Sequence, residues 1–234
     1  MIQGKSVLAI IPARGGSKGI PRKNIREVGG KPLLSWTIEE AKKSVYIDRL
    51  IVSTDDEEIA DVARQYDGEV PFLRPKELAK DDAPGVAPVL HALEVLPKYD
   101  YVVLLQPTSP LRQVIDIDGC IEKCLKEQAN SCVSITVAEK TPYWMYHLSD
   151  NDVLEPVIKI EERFLRRQDT PPVFSLNGAV YIADTNWLKK TQSFLEPETV
   201  GYVMPKERSI DIDNEMDIVI FEAVLRQMKN RLER

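Results

Sequence analysis

The chain has 234 residues and a net charge of −6, from 37 acidic and 31 basic side chains. An acidic chain lacks the basic face that sequence-independent nucleic-acid binding needs, so no nucleic-acid partner is expected. Three cysteines without a C-x-x-C pair, and two distant histidines (His91 and His147), argue against structural zinc and a disulfide framework.

The N-terminus is polar up to Ser6, and the first apolar run, Val7 to Ile11, is far too short for a membrane span. With reduced cysteines this predicts a cytoplasmic protein with no membrane partner. In chain order, Val7 to Ile11 reads as a buried strand. Leu34, Ile38 and Ala41 give helical spacing across Leu33 to Lys43. Leu50 to Ser53 is a second strand. Asp56 to Tyr66 carries acids in its first turn and Ile59, Ala60, Ala63 and Tyr66 on one face, as a helix does. Val70 to Leu73 reads as a short strand, Val86 to Leu96 as a helix despite Pro88, and Tyr101 to Leu105 as a buried strand. Ile115 to Lys126 is helical and Cys132 to Val137 extended.

Residues 140–172 break the pattern. The stretch is polar and proline-punctuated, with strand-like Val153-Leu154 and Val157-Ile158, as a protruding hairpin or dimerisation arm is. Strand character resumes at Val173-Phe174 and Ala179 to Ile182, and Ile218 to Leu232 is a terminal helix. Apolar strands alternating with helices predict one α/β domain over 1–234, its mainly parallel sheet covered on both faces. In such a sheet ligands bind beyond the carboxyl ends of the strands.

Three segments fall there. After the first strand comes Pro12-Ala13-Arg14-Gly15-Gly16-Ser17-Lys18-Gly19-Ile20-Pro21-Arg22-Lys23-Asn24. Its glycines let backbone N–H groups approach a ligand, and Arg14, Lys18, Arg22 and Lys23 supply positive charge. This suits a triphosphate, yet it matches neither the P-loop nor the dinucleotide fingerprint. The second, Gln106-Pro107-Thr108-Ser109-Pro110-Leu111-Arg112, is held rigid by its prolines. Gln106 both donates and accepts, which suits reading a base or sugar, although a plain helix-capping turn is the competing reading. The third is Ser209-Ile210-Asp211-Ile212-Asp213. Extended, it puts two carboxylates on one face, suited to Mg²⁺; Asp213 as cap of the last helix is the alternative. Arg74 ends a strand and suits a base or ribose contact. Asn177-Gly178 inside a strand marks close approach of a ligand, or a bulge. Cys120 and Cys124, one helical turn apart, read as core residues.

These motifs, in this order and over nearly the whole chain, resemble the acylneuraminate cytidylyltransferases, also called CMP-sialic acid synthetases. The resemblance implies a Rossmann-like nucleotidyltransferase fold and a homodimer whose arm reaches over the partner's site. It implies transfer of CMP from CTP to the anomeric hydroxyl of an acidic nine-carbon α-keto sugar, with Mg²⁺ and release of pyrophosphate. Arg14 and Lys18 match the catalytic, phosphate-binding positions, with Gly15 and Ser17 in the same loop. Asn24, Arg74 and Gln106 match cytidine or sugar contacts, and Asp211 and Asp213 match the metal ligands. Arg167 aligns with a sugar-carboxylate arginine, and Asn177 falls among the sugar-binding positions. Ser175 and Trp144 depart from some sialic-acid-activating members, which carry arginine and lysine there. Legionaminic and pseudaminic acids, and the eight-carbon acid of lipopolysaccharide, are therefore alternative substrates. A non-catalytic CTP-binding protein is the alternative of another class.

Overall fold

A computed structural model describes residues 2–17, 19–159 and 166–232. Its strands are β1 (Val7–Pro12), β2 (Glu27–Val28), β3 (Lys31–Pro32), β4 (Arg49–Ser53), β5 (Tyr101–Leu104), β6 (Ser131–Val137), β7 (Tyr146–Leu148), β8 (Leu154–Pro156), β9 (Phe174–Asp184) and β10 (Val200–Val203). Its helices are α1 (Leu33–Ala41), α2 (Glu57–Gln65), α3 (Ala87–Val95), α4 (Val114–Lys126), α5 (Thr185–Thr191) and α6 (Glu215–Leu232).

The central sheet runs in the order β10-β6-β9-β5-β1-β4. β4, β1 and β5 are parallel neighbours, as are β10 and β6, while β9 lies antiparallel between β5 and β6. The sheet is thus mixed and mostly parallel. β1 is apolar without alternation because both its faces are covered. Val7, Ala9 and Ile11 pack with Leu34 and Ile38 of α1, Ile59 of α2 and Ile117 of α4. Leu8 and Ile10 pack on the other face with Val89 of α3 and Leu188 of α5. Asp56 caps α2, accepting from Ile59 N at 3.0 Å, and Pro88 sits in the first turn of α3, where its missing N–H is not needed. Cys120, Cys124 and Cys132 are buried free thiols. Among the described residues no helix is long and apolar enough to cross a membrane.

Four expectations change. Residues 70–73 form no strand; the chain runs beside β4 with single bridges at Glu69 and Leu73, since Pro71 has no N–H to continue a ladder. The segment around Asp211 and Asp213 is also outside the sheet: its backbone docks on the proline-rich loop, Ile212 N donating to Thr108 O at 2.8 Å. Within the arm, β7 pairs with β8 over Tyr146↔Pro156 to Leu148↔Leu154, whereas Val157 and Ile158 are bends rather than strand. The fourth concerns the late chain, where β9 is one continuous strand and α5 and β10 appear without a sequence signal. Gly201 blunts the pattern of β10, and a Cβ there would stand 2.6 Å from Ile135 Cδ1.

Candidate active site

The loops after β1 and β5 open onto a cavity of about 310 Å³, lined by Arg14, Ser17, Lys23, Asn24, Arg74, Gln106 and Thr108, with Lys80, Asp81 and Gly85 on its far wall. Five residues singled out from the sequence (Arg14, Ser17, Asn24, Arg74 and Gln106) therefore converge. Lys18 lies outside the described residues, as does the side chain of Arg167, whose backbone forms a 3-10 turn with Asp169.

The glycine-rich loop is tied down at both ends. Gly15 N donates to Asp55 Oδ1 at 3.2 Å, and a Cβ on Gly15 would come 2.6 Å from Asp56 Oδ2. Asn24 is buried and donates from Nδ2 to Arg14 O at 2.9 Å. The cations differ in their engagements. Arg22, in the left-handed region at φ 55°, forms a fork to Asp56 at 2.5 and 3.0 Å and also reaches Glu58. It ties the loop to α2 instead of offering its charge to an anion, correcting the expectation of four anion-binding cations. Lys23 donates to Ile212 O at 2.9 Å and Asp213 Oδ1 at 3.0 Å. Arg14 pairs with Asp81 at 2.8 Å and donates to Ala79 O at 3.3 Å.

Arg74 stands apart. It is 3% exposed, and among the described residues its ion-pair contact is Asp55 at 3.6 Å. Its Nε and Nη1 have no hydrogen-bond partner among the described residues. Burial pushes its pKa down, with Asp55 opposing and Arg14 adding repulsion. Buried donors are normally satisfied, so this guanidinium on the cavity wall is a donor set awaiting an acceptor.

Gln106 is placed by two neighbours. Arg112 is fully buried and donates to Gln106 O at 3.1 Å, Ala179 O at 2.7 Å and Thr37 Oγ1 at 2.6 Å. Burial lowers its pKa to about 10. Arg112 thus fixes the backbone from which the Gln106 side chain projects. That side chain lies on Gly178, whose φ is +69° and whose Cβ, if present, would be 2.7 Å from Gln106 Oε1. The close approach anticipated at Asn177-Gly178 is therefore made by Gln106. Asn177 itself is 6% exposed. Its Oδ1 accepts from Ser134 Oγ at 2.6 Å and its Nδ2 donates to Ser209 Oγ at 2.9 Å. It joins β9 to β6 and to the acidic segment, and is absent from the cavity's lining.

Asp211 and Asp213 follow Ser209. Asn214, not Asp213, caps α6: its Oδ1 accepts from Met216 N at 2.9 Å and Asp217 N at 3.3 Å. Asp211 keeps an exposed surface, but water is scarce around its carboxyl. That desolvation raises its pKa, helped by repulsion from Asp213 and opposed by a hydrogen bond from Thr108 and by the charge of Lys23. Among the described residues no group of three or more His, Cys, Asp or Glu is arranged around one metal point; the acidic donors are this pair. Arg208 anchors the segment by a fork to the fully buried Asp116, at 2.8 and 2.9 Å.

A second cavity, about 180 Å³, shares the Gln106 wall and is lined by Val86, Leu104, Tyr181, Phe194 and Leu195. Burial, and then the charge of Asp211, push the Tyr181 hydroxyl up. Sequence reading missed this cavity, the Lys80–Gly85 wall, and the roles of Arg112 and Thr108. The cluster Asp81-Asp82-Ala83-Pro84-Gly85 was a visible loop signal; Phe194 and Leu195 carried none.

A mixed α/β sheet with a glycine-rich cationic loop and a polar cleft at its strands' carboxyl ends defines a nucleotide-binding protein. The chain belongs to the cytidylyltransferase family, whose model matches residues 8–199, and is a CTP-dependent nucleotidyltransferase. It is 35% identical to the CMP-N,N'-diacetyllegionaminic acid synthase of Legionella pneumophila, over 94% of this chain and 96% of that one. It is 36% identical to the pseudaminic acid cytidylyltransferase of Campylobacter jejuni, covering 90% and 92%. It is 35% identical to the N-acylneuraminate cytidylyltransferase of Escherichia coli, covering 96% of this chain and 53% of that longer one. A solved CMP:2-keto-3-deoxy-manno-octonic acid synthetase in complex with CTP shares the fold, with a TM-score of 0.74 at 14% identity over 95% and 99% of the two chains.

Gly178→Ala tests the geometry around Gln106. A side chain at positive φ costs about 1–3 kcal/mol, and the added methyl displaces Gln106. We expect kcat/KM to fall at least about tenfold while the protein still unfolds cooperatively, checked by steady-state kinetics and thermal melting. Unchanged kinetics would remove Gln106 from the site.

Proposed function

We propose that the protein transfers CMP from CTP to the anomeric hydroxyl of an acidic nine-carbon α-keto sugar, releasing pyrophosphate. One observation carries the reading: Arg14, Asn24, the unsatisfied Arg74 and Gln106 meet in one cleft, with Asp211 and Asp213 close by. The three relatives named for legionaminic, pseudaminic and N-acylneuraminic acids support the sugar class. So does the apolar cavity beyond Gln106, which suits the methyl of an acylamino group. Ser175 and the exposed Trp144 favour legionaminate or pseudaminate over sialic acid.

In the proposed reaction the anomeric oxygen attacks the α-phosphorus in line, and pyrophosphate departs into the glycine-rich loop. Arg14 and Lys18 hold the β- and γ-phosphates and stabilise the charge that develops there. Arg74 and Asn24 bind the nucleoside, and Gln106 orients base or sugar from its fixed backbone. Arg167 is assigned to the sugar carboxylate by resemblance. Asp211 and Asp213 offer hard oxygen donors that repel each other, a donor set that fits Mg²⁺ completed by substrate phosphates. When bound, Mg²⁺ neutralises phosphate charge at the reacting centre.

The arm supports a homodimer: Trp144, Met145, Leu148, Leu154 and Val157 are apolar and more than 40% exposed, as are Phe174 and Leu176 at the adjoining start of β9. Buried free thiols support a reducing, cytoplasmic setting.

Three measurements test this reading. A panel of α-keto acid sugars with CTP, scored by pyrophosphate release, should give turnover with nine-carbon acids. Preference for the eight-carbon acid would replace the substrate, and CTP binding with no turnover on any sugar would make the protein a non-catalytic binder. Asp211→Ala should lose activity that added Mg²⁺ partly restores, and should weaken Mn²⁺ binding by the CTP complex; an enzyme indifferent to metal would exclude the metal site. Sedimentation equilibrium should show a dimer of the 26.5 kDa chain, and a monomer at micromolar concentration would remove the arm's proposed role.

A further inference from the structure

We infer that Asp81 discriminates among the ligands of the nucleotide site, because its carboxylate pairs with Arg14 and competes with a polyphosphate for that guanidinium. The inference rests on the proposed placement of the β- and γ-phosphates at the glycine-rich loop. Arg14 and Asp81 both line the cavity, and Nη1 of Arg14 meets Asp81 at 2.8 Å and Ala79 O at 3.3 Å. The contact is built for exchange. Both side chains are part-exposed, 37% for Arg14 and 46% for Asp81, so phosphate oxygens reach the guanidinium without deep desolvation. Asp81 lies in a segment without regular structure, running through Ala83-Pro84-Gly85 before α3 begins.

The charge arrangement gives the contact its purpose. Arg14 repels the buried guanidinium of Arg74, which is itself only weakly countered by Asp55. Two arginines facing one cleft need a counter-charge before substrate arrives, and Asp81 supplies it to Arg14. A triphosphate or pyrophosphate brings several anionic oxygens and displaces one carboxylate. A nucleoside monophosphate, lacking the β- and γ-groups, leaves the Arg14–Asp81 pair intact.

It follows that Asp81 weakens every ligand that takes Arg14 by one common factor and leaves the others untouched. CTP and pyrophosphate are held less tightly than the cations alone would hold them, which speeds pyrophosphate release after transfer. Asp81 is a positioning residue, acting through Arg14 rather than on the substrate.

The test is calorimetric titration of wild type, Asp81→Asn and Asp81→Glu with CTP, pyrophosphate and CMP at fixed Mg²⁺. Part-exposed ion pairs of this kind correspond to about a three- to fivefold change in affinity. Asp81→Asn should tighten CTP and pyrophosphate by that factor and equally, leave CMP unchanged, and show slower pyrophosphate release. Asp81→Glu should behave as wild type. Tightening of CMP to the same extent, or pyrophosphate affinity unmoved, overturns the inference. Should Asp81→Asn not fold, Asp81→Ser carries the same expectation, with CMP affinity reporting an intact site. A wild-type protein that binds CTP while Asp81→Asn leaves pyrophosphate affinity unchanged fails the inference alone; one that binds no CTP fails the functional reading as well.

Discussion

Ile212 is buried between two carboxylates that are not, and the site depends on that alternation. Its side chain enters an apolar cluster with Ile20 from the glycine-rich loop, Leu111 from the proline-rich loop, and Ile218 and Phe221 from α6. Each of these loops therefore contributes an apolar anchor to one small core. The backbone reinforces the same junction, since Ile212 N donates to Thr108 O and Ile212 O accepts from Lys23. Burying an isoleucine is worth about 1.5–3 kcal/mol. Here that energy does more than stabilise: it sets the separation of glycine-rich loop, proline-rich loop and acidic pair. Packing and chemistry share residues, so looseness in this cluster would appear first as misplacement of Asp211 and Asp213.

The arginines sort by a physical criterion, the number of partners each already has. Arg22, Arg112 and Arg208 are engaged by carboxylates or carbonyls at hydrogen-bonding distance. Removing one partner of a buried pair such as Arg208–Asp116 strands a charge in the interior, which typically costs 3–5 kcal/mol, so these residues are framework. Arg74 is as buried as Arg112, but whereas Arg112 makes three hydrogen bonds and leaves only its Nε unpaired among the described residues, Arg74 leaves both Nε and Nη1 unpaired there. A chain that carries an unsatisfied buried guanidinium at a cleft is carrying a binding determinant, because no folding benefit offsets its desolvation. Sequence position alone does not separate these two kinds of arginine.

Legibility in the sequence follows the range of the determining interaction. The β1 run, α2 with its Asp56 cap, and the glycine- and proline-rich loops were readable because composition and spacing within a dozen residues decide them. Pro71 should have demoted Val70–Leu73, a local signal outweighed by apolar composition. The fate of Arg22 depends on Asp56, far along the chain, and that of Asn177 on Ser134 and Ser209; neither partner is visible from the residue itself. β10 was hidden because Gly201, which packs against the Ile135 side chain, lacks the side chain that would have marked the strand. Asp211 and Asp213 are legible as a pair of exposed carboxylates flanking a buried Ile212, but not in the strand that their alternation suggests. Alternation does put both carboxylates on one side, yet the surface that orients them is a loop and not a sheet.

The acidic composition now has a structural meaning. Asp81, Asp56 and Asp213 each hold a cation of the glycine-rich loop in the absence of substrate. They are not equivalent. The Asp56 contact to Arg22 is a two-pronged fork, backed by Glu58, and fixes the loop's shape. Asp213 shares Lys23 with a backbone carbonyl, so a change of partner at Asp213 would leave Lys23 still tethered. Asp81 lies in an irregular segment that lines the same cavity as Arg14, and both side chains of the pair are part-exposed. Binding of a polyanion to this loop is therefore a competition among carboxylates, and its affinity is set by the difference between phosphate and internal acid rather than by the count of positive charges. A loop with bare cations would bind polyphosphate more tightly, but it would also hold pyrophosphate after transfer. Intermediate affinity serves turnover, because only interactions that strengthen in the transition state raise the rate.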